Sequence, residues 1–339
     1  MKSDLATDWK NLGEPQDDKK KEISILDAIK ISTMSASGLA ALGLPPREGV
    51  LGDWLKVGDL GFIFAPRGLG KTWLSAKISS AIANGGMAGP WIAHKPRKVL
   101  YIDGEMALDG MLERMDGMQS GENLLILNHE VLFHLGSKTL NLADPSTQYA
   151  FNQYFLEIGA EVLVCDNLSS LCVGVEENNS DDWEQILQWL LSLRRLKIAV
   201  IIVHHAGRNG EMRGTSRRED AAFWVLKLDH PDEGKSGTSR MAKFISKFTK
   251  ERNSGFEQAP LQWTFETDSN NLIKVSYTHV DHLTIFRSWL ESGLSDATSI
   301  AGAMDVSVSH VSKLAKKAVG AGWLKITQRK YVLVSNGPV

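Results

Sequence analysis

The chain has 339 residues, 43% of them apolar and 23% charged, with a formal net charge of −2. That length and composition predict two domains, or one domain with an appendage, around a sizeable core, and the overall charge carries no global nucleic-acid signal. No apolar run approaches the roughly 18 residues of a membrane span, and the lysine-bearing start lacks the apolar core of a signal peptide, so a cytoplasmic protein is expected. The two cysteines, Cys165 and Cys172, stand seven residues apart. They match no zinc spacing and read as buried thiols in a reducing compartment.

Residues 1–21 are polar and end in a lysine run, Lys19 to Lys21, which predicts a solvated arm. Residues 22–42 suit one or two short helices with an imperfect apolar face of Ile23, Leu26, Ile29 and Ile31. The stretch LGLPPREG then forms a hinge, so an arm and linker are expected over 1–44. From Leu60 onward strands and helices alternate. Apolar strand candidates are 60–65, 98–103, 123–127, 161–166 and 197–204, and helical patterns cover 71–84, 107–118, 146–158 and 181–195. This alternation predicts an α/β fold, a mostly parallel sheet with helices on both faces. Strand candidates at 222–229, 241–249, 261–266 and 272–277 follow without long helices, so that edge is expected to be a meander. The boundaries drawn from this pattern are 45–279 for the main domain and 280–339 for a small C-terminal one.

The segment Ala65-Pro66-Arg67-Gly68-Leu69-Gly70-Lys71-Thr72 fits the Walker A pattern, with alanine in place of the usual first glycine. Such a loop points backbone N–H groups at a β-phosphate from the positive end of a helix. Gly68 and Gly70 permit the backbone angles this requires. Lys71 would reach the β- and γ-phosphates and the Thr72 hydroxyl would ligate Mg²⁺. The apolar LGFIFA before the loop and Leu74, Ile78 and Ile82 after it supply the strand and the helix that a chance match would lack. Pro66, Arg67, Gly68, Leu69, Gly70, Lys71, Thr72 and Trp73 are therefore the candidate nucleotide-binding residues. The strand VLVCD ends at Asp166, about 95 residues after Lys71, which is the position for a carboxylate that holds Mg²⁺ through water. No Asn-Lys-x-Asp guanine-reading motif is present, so ATP is preferred over GTP.

Glu105, just past the strand VLYID, can orient and deprotonate an attacking water; an exposed loop glutamate is the competing reading. The strand IAVIIVHH ends in His204 and His205, whose imidazoles can meet a γ-phosphate or serve as buried structural groups. No further ligand stands at metal spacing near them.

Together the segments APRGLGKT, YIDGEM, VLVCDNLSSL, VHHAGRNGEMRGTSRRED and FTKERNSG resemble the RecA-like ATPases of the AAA_25 type, P-loop NTPases that include the RepA-class hexameric replicative helicases of plasmids, phages and mobile elements. The resemblance covers roughly residues 45–277. It implies that Glu105 is the catalytic base, that His205 touches the γ-phosphate, and that Lys250 and Arg252 reach the neighbouring subunit's ATP. It implies a homo-oligomer, expected to be a hexamer, acting on single-stranded DNA. The loops at 172–182 and 206–218 correspond to segments lining the central channel, and the second carries Arg208, Arg213, Arg217 and Arg218, suited to a phosphate backbone. A solvated basic loop is the alternative for any one of these arginines.

Residues 281–339 carry seven basic and four acidic residues, a net of +3 that leaves −5 for the rest. This tail resembles a winged helix-turn-helix domain over about 55 residues. A first helix would bury Leu283, Phe286, Trp289 and Leu290. A second would begin after Thr298 and contain Ile300, Ala301 and Met304. A third would run to about Val319 with Val308, Val311, Leu314 and Ala318 inward. Its outward Ser309, His310, Lys313, Lys316 and Lys317 form a candidate duplex-DNA recognition face. A hairpin tip presents Arg329 and Lys330. The alternatives are a protein-docking tail and, for the whole chain, a DNA-bound ATPase that does not translocate.

Overall fold

The computed structural model describes residues 24–136, 140–172, 174, 180–207, 216–231, 237–238, 241–255, 258–304 and 306–334, with backbone alone at 180–182, 216–218 and 237–238. Two compact units divide between Thr278 and His279. The larger begins with α1 (Ile25–Ser32), capped by the Ser24 hydroxyl, and α2 (Ala36–Ala41), capped by Ser35. Neither buries a residue, and the expected apolar face is exposed at Leu26 (60%), Ile29 (56%) and Ile31 (54%), while Ile23 lies outside the described residues.

Next come the short β1 (Gly49–Leu51) and β2 (Leu55–Lys56), then β3 (Leu60–Ala65), whose six residues are all buried. They are followed by α3 (Lys71–Asn84), the hairpin β4 (Met87–Ala88) and β5 (Trp91–Ile92), β6 (Val99–Asp103), α4 (Leu108–Gly117), β7 (Leu124–Asn128) and α5 (His129–His134). The chain continues through α6 (Pro145–Ile158), β8 (Val162–Asp166), α7 (Leu168–Leu171), α8 (Ser180–Arg195), β9 (Ala199–His205), α9 (Ser216–Ala221) and β10 (Trp224–Asp229). It closes with β11 (Gly237–Thr238), β12 (Met241–Glu251), β13 (Leu261–Thr267) and β14 (Ile273–His279).

The main sheet has the order β14-β13-β12-β10-β3-β9-β8-β6-β7, with β11 beside β12. Strands β10, β3, β9, β8, β6 and β7 pair in parallel, and β12 turns antiparallel to both β10 and β13. Alternate strand residues feed two separate cores. Ile63, Tyr101, Val164 and Ile201 pack with α3, while Phe62, Phe64, Ile102, Leu163 and Ile202 pack with Phe155, Trp183 and Leu190 of the helices on the other face. A strand buried on both faces cannot show polar alternation, which is why these runs are continuously apolar. The expected mixed α/β fold with a large, mostly parallel sheet and helices on both sides is the fold observed.

The hairpin strands β1, β2, β4 and β5 are too short to read from periodicity. They carry Trp54 and Trp91, which meet at 5.1 Å, and Trp54 also packs edge-on at 4.6 Å against Trp224 of β10. Gly61 lies beneath that cluster, where an added Cβ would fall 2.0 Å from the Trp224 ring. Among the described residues no helix is long and apolar enough to cross a membrane, and both cysteines are buried and outside any disulfide.

The smaller unit has α10 (His282–Glu291), α11 (Ala297–Ala303), α12 (Val308–Gly320) and the hairpin β15 (Leu324–Thr327) with β16 (Lys330–Leu333). Asp281, Asp296 and Ser307 cap the three helices. Phe286, Leu290, Ile300, Val311, Leu314, Ala318 and Tyr331 form its core. Val308 is 46% exposed rather than inward, because it opens the helix one turn before the buried stripe starts. Trp289 is only half-buried, and the second helix starts at Ala297, ahead of the expected Thr298. At the hairpin tip Gln328 and Arg329 both adopt positive φ, 49° and 63°, the conformation of a two-residue primed turn.

Candidate functional site

The loop between β3 and α3 wraps a cleft of about 250 Å³ lined by Arg67, Gly68, Gly70, Lys71, Thr72, Trp73, Glu105, Met106, Arg114, Asp166 and His205. Gly68 and Gly70 take φ values of 75° and 102°, and a Cβ on Gly70 would meet the Phe244 ring at 2.6 Å. Both angle and space therefore require glycine at position 70. Leu69 and Pro66 contribute differently from their neighbours. The Leu69 side chain is fully buried in the core, and the Pro66 carbonyl accepts a hydrogen bond from Lys71 Nζ at 2.8 Å, with the Ala65 carbonyl at 3.1 Å. Burial lowers the Lys71 pKa to about 8, opposed by the nearby Asp166 and Glu105 carboxylates.

Asp166 ends β8 with its carboxyl fully enclosed. Burial raises its pKa to about 6 against hydrogen bonds from the Tyr101 and Thr72 hydroxyls, and Tyr101 Oη donates to Oδ2 at 2.6 Å. Ser75 Oγ in turn meets Tyr101 Oη at 2.9 Å. A buried carboxyl beside a threonine hydroxyl is a hard-oxygen donor pair of the kind that suits Mg²⁺, which Thr72 and Asp166 could hold.

Glu105 is aimed by its own turn. Asp103 Oδ1 accepts from the backbone N–H of Glu105 at 3.2 Å and of Met106 at 3.1 Å, while Asn128 Nδ2 holds Asp103 Oδ2 at 2.7 Å. The Glu105 carboxylate reaches Asn167, whose Nδ2 donates to it, and lies 3.6 Å from His205 Nε2. Of the two histidines, only His205 lines the cleft; His204 is buried in the sheet. Four residues here were given no role by the sequence: Tyr101 and Asn167, although they lie inside YIDGEM and VLVCDNLSSL, and Arg114 and Asn128, which lie in no motif. Asn167 directly follows the strand-ending aspartate, and that adjacency is the one cue the sequence offers. Arg114 stacks its guanidinium 4.5 Å over Trp73, and burial lowers its pKa.

Lys250 and Arg252 are elsewhere. They line a separate, open cavity of about 410 Å³ with Phe248, Thr249, Glu251, Gly255 and Gln258. Lys250 pairs with Val225, and Trp224, one residue earlier, pairs with Gly61. The C-terminal end of β12 thus lies at the N-terminal edge of the parallel strands, and the phosphate loop lies at their C-terminal edge. From the level of Leu60 to Ala65 is about 17 Å at 3.3 Å per residue, longer than an extended arginine side chain. Lys250 Nζ instead donates to the backbone carbonyls of Glu219 and Asp220. Asn253 anchors the turn, its Nδ2 donating to Asp59 Oδ2 at 2.6 Å and to the Trp54 carbonyl at 2.7 Å.

Arg208 and Arg213 lie outside the described residues. In the smaller unit Ser309, Lys313, Lys316, Lys317, Arg329 and Lys330 are exposed. His310 departs from its expected outward place. Its Nε2 meets His282 Nδ1 at 2.9 Å, leaving it half-buried against α10.

A family model described as an AAA domain, AAA_25, matches residues 26–211, more than half of the chain. Among solved structures, the flagellar accessory protein FlaH of Methanocaldococcus jannaschii is similar at 16% identity, covering 65% of this chain and 90% of that one with a TM-score of 0.45. A KaiC-like protein of Pyrococcus horikoshii OT3 is similar at 15% identity, covering 68% and 100% with a TM-score of 0.46. No curated protein matches the sequence.

Proposed function

The chain belongs to the AAA_25 family of AAA domains, and from that premise we propose that it is an ATP-driven DNA motor, a ring-forming helicase or translocase that hydrolyses ATP between subunits. The observation that carries the reading is the convergence of Lys71, Thr72, Glu105, Asp166 and His205 on one cleft. They come from one helix N-terminus, one turn and two strand ends. In this reading Lys71 leaves the carbonyls of Ala65 and Pro66 for the β- and γ-phosphates, whose charge returns the lysine to its protonated form. Thr72 and Asp166 would hold Mg²⁺, which would supply charge neutralisation at the transferring phosphoryl group. Glu105 takes the proton of the attacking water, and His205 stands where the γ-phosphoryl oxygens would lie.

Arg252 supports a shared site. At its distance it cannot reach its own loop, but a head-to-tail ring can bring that edge of one subunit to the cleft of the next. We assign the smaller unit as a winged helix that contacts duplex through Lys313, Lys316 and Lys317 and through the hairpin tip, and the segment bearing Arg208 and Arg213 as a single-strand contact.

The test is turnover. Glu105→Gln should bind ATP as the wild type does and lose about 10² to 10⁴ in kcat, because the amide keeps the shape and cannot accept a proton. Turnover close to wild type would place the base elsewhere. Strand displacement on a forked substrate then separates the motor from an ATPase that remodels DNA-bound complexes without moving.

A further inference from the structure

Asn167 is 98% buried between two of the site's proposed working groups. Its side-chain amide makes contacts of three kinds. Oδ1 accepts from the Ser170 backbone N–H at 3.1 Å, capping α7. Nδ2 donates to Glu105 Oε2. Nδ2 also meets His205 Nε2 at 3.0 Å.

Two of these partners have no ambiguity. A backbone N–H only donates and a carboxylate oxygen accepts, so together they fix which end of the amide is nitrogen. An amide nitrogen has no lone pair to offer, so in the third contact His205 Nε2 must accept, and the neutral imidazole carries its proton on Nδ1. The direct Glu105–His205 separation of 3.6 Å is too long for a hydrogen bond. The amide is therefore the link between the two groups.

We infer that Asn167 is a positioning residue that ties the aim of Glu105 to the state of His205, so that the cleft distinguishes ATP from ADP. A γ-phosphoryl oxygen is an acceptor and needs an N–H from the imidazole. In the structure the Nε2 lone pair faces Asn167 instead. When the γ-phosphate engages Nε2, the imidazole proton moves from Nδ1 to Nε2 through water with no net proton gained, and the Asn167 hydrogen bond to it breaks. The amide then loses one of its two anchors, and it can shift together with the Glu105 carboxylate it still holds, toward the attacking water. ADP presents no γ-phosphate and leaves the tie closed. The inference rests on the proposed ATPase reading for its kinetic consequence and on the hydrogen-bond geometry alone for the tautomer.

Asn167→Asp tests it. Aspartate keeps the Oδ1 cap and the size, and caps a helix as well as asparagine, but it replaces the donor by an acceptor. In nucleotide-free protein, ¹⁵N spectra of the histidine side chains, assigned by the signal lost in His205→Gln, should show His205 protonated at Nδ1. In Asn167→Asp it should be protonated at Nε2. The kcat for ATP should fall roughly tenfold to hundredfold, since the base is misdirected rather than removed, and Tm should fall too, because a second carboxylate is buried against Glu105. Asn167→Ser, which retains a capping oxygen and lacks Nδ2, should lose kcat in the same way if the aspartate variant does not fold. Wild-type His205 protonated at Nε2, a spectrum unchanged by Asn167→Asp, or a kcat unchanged in either variant overturns the tie. A wild-type protein without ATP turnover sinks the proposed function and leaves the tautomer test standing.

Discussion

Arg252→Ala separates a shared site from a self-contained one. The register of β12 against β10 and β3 puts Arg252 about 17 Å, five strand residues at 3.3 Å each, below the end of β3, and the phosphate loop rises beyond that end. A guanidinium brought to the γ-phosphoryl group from a neighbour stabilises its transition state by roughly 10³ to 10⁵. Arg252→Ala should therefore bind ATP normally and lose turnover by about that factor. Lys71→Ala should also be inactive, because its own loop no longer holds the phosphates. The assay is ATP turnover after the two variants are dissociated, mixed and reassembled. In an equal mixture, an interface is competent when its loop comes from the Arg252→Ala chain and its finger from the Lys71→Ala chain. Two independent choices of one half each give recovery up to about one quarter of wild type in a head-to-tail ring. Recovery should peak at equal mixing and vanish toward either pure variant. No recovery at any ratio would refute the shared site, and so would an Arg252→Ala protein that turns over at the wild-type rate.

ATP affinity should fall as pH rises through about 8. Free Lys71 loses its proton there, bound phosphates keep it charged, and binding must take up a proton above that pH, so affinity weakens by up to about tenfold per unit; titration calorimetry showing constant affinity from about pH 7 to 9 would contradict this. Replacing Lys313, Lys316 and Lys317 together by alanine should lower the salt dependence of duplex binding by about one unit of log–log slope per lysine that meets a phosphate, and an unchanged slope would make the smaller unit a protein-docking module. Gly61→Ala should destabilise the larger unit by about 3 kcal/mol, because its Cβ lands on the buried Trp224 ring. That corresponds to a drop of about 6 to 12 °C in Tm by calorimetry, and a transition near wild type would mean that the tryptophan cluster can shift.

The parallel strands, the helix Lys71–Asn84 and the glycine-bearing loop between strand and helix were all legible in the chain. Their causes are local: continuous burial on two faces, a 3.6-residue period, and backbone angles that glycine alone adopts without strain. The same local logic placed Asp166 at a strand end and Glu105 just past one, and it found the three helices of the smaller unit. It failed where a side chain's role depends on a distant partner. His310 lies on the predicted outer face of its helix and turns instead to His282, 28 residues earlier.

The order of the strands is the deeper divide. In sequence, the next strand of the main sheet after β3 is β6, yet in the sheet β3 lies between β9 and β10, which the chain reaches more than 130 residues later. That order brings His205 beside Asn167 and Glu105, and it puts Lys250 and Arg252 at the opposite edge from their own subunit's phosphate loop. Residue types and spacing determined that this chain makes phosphate-binding chemistry, because the loop, its lysine and its helix are contiguous. Which groups meet around that loop was decided only by the packing of strands far apart in sequence, since period and propensity set each strand's direction and faces but leave its neighbours open.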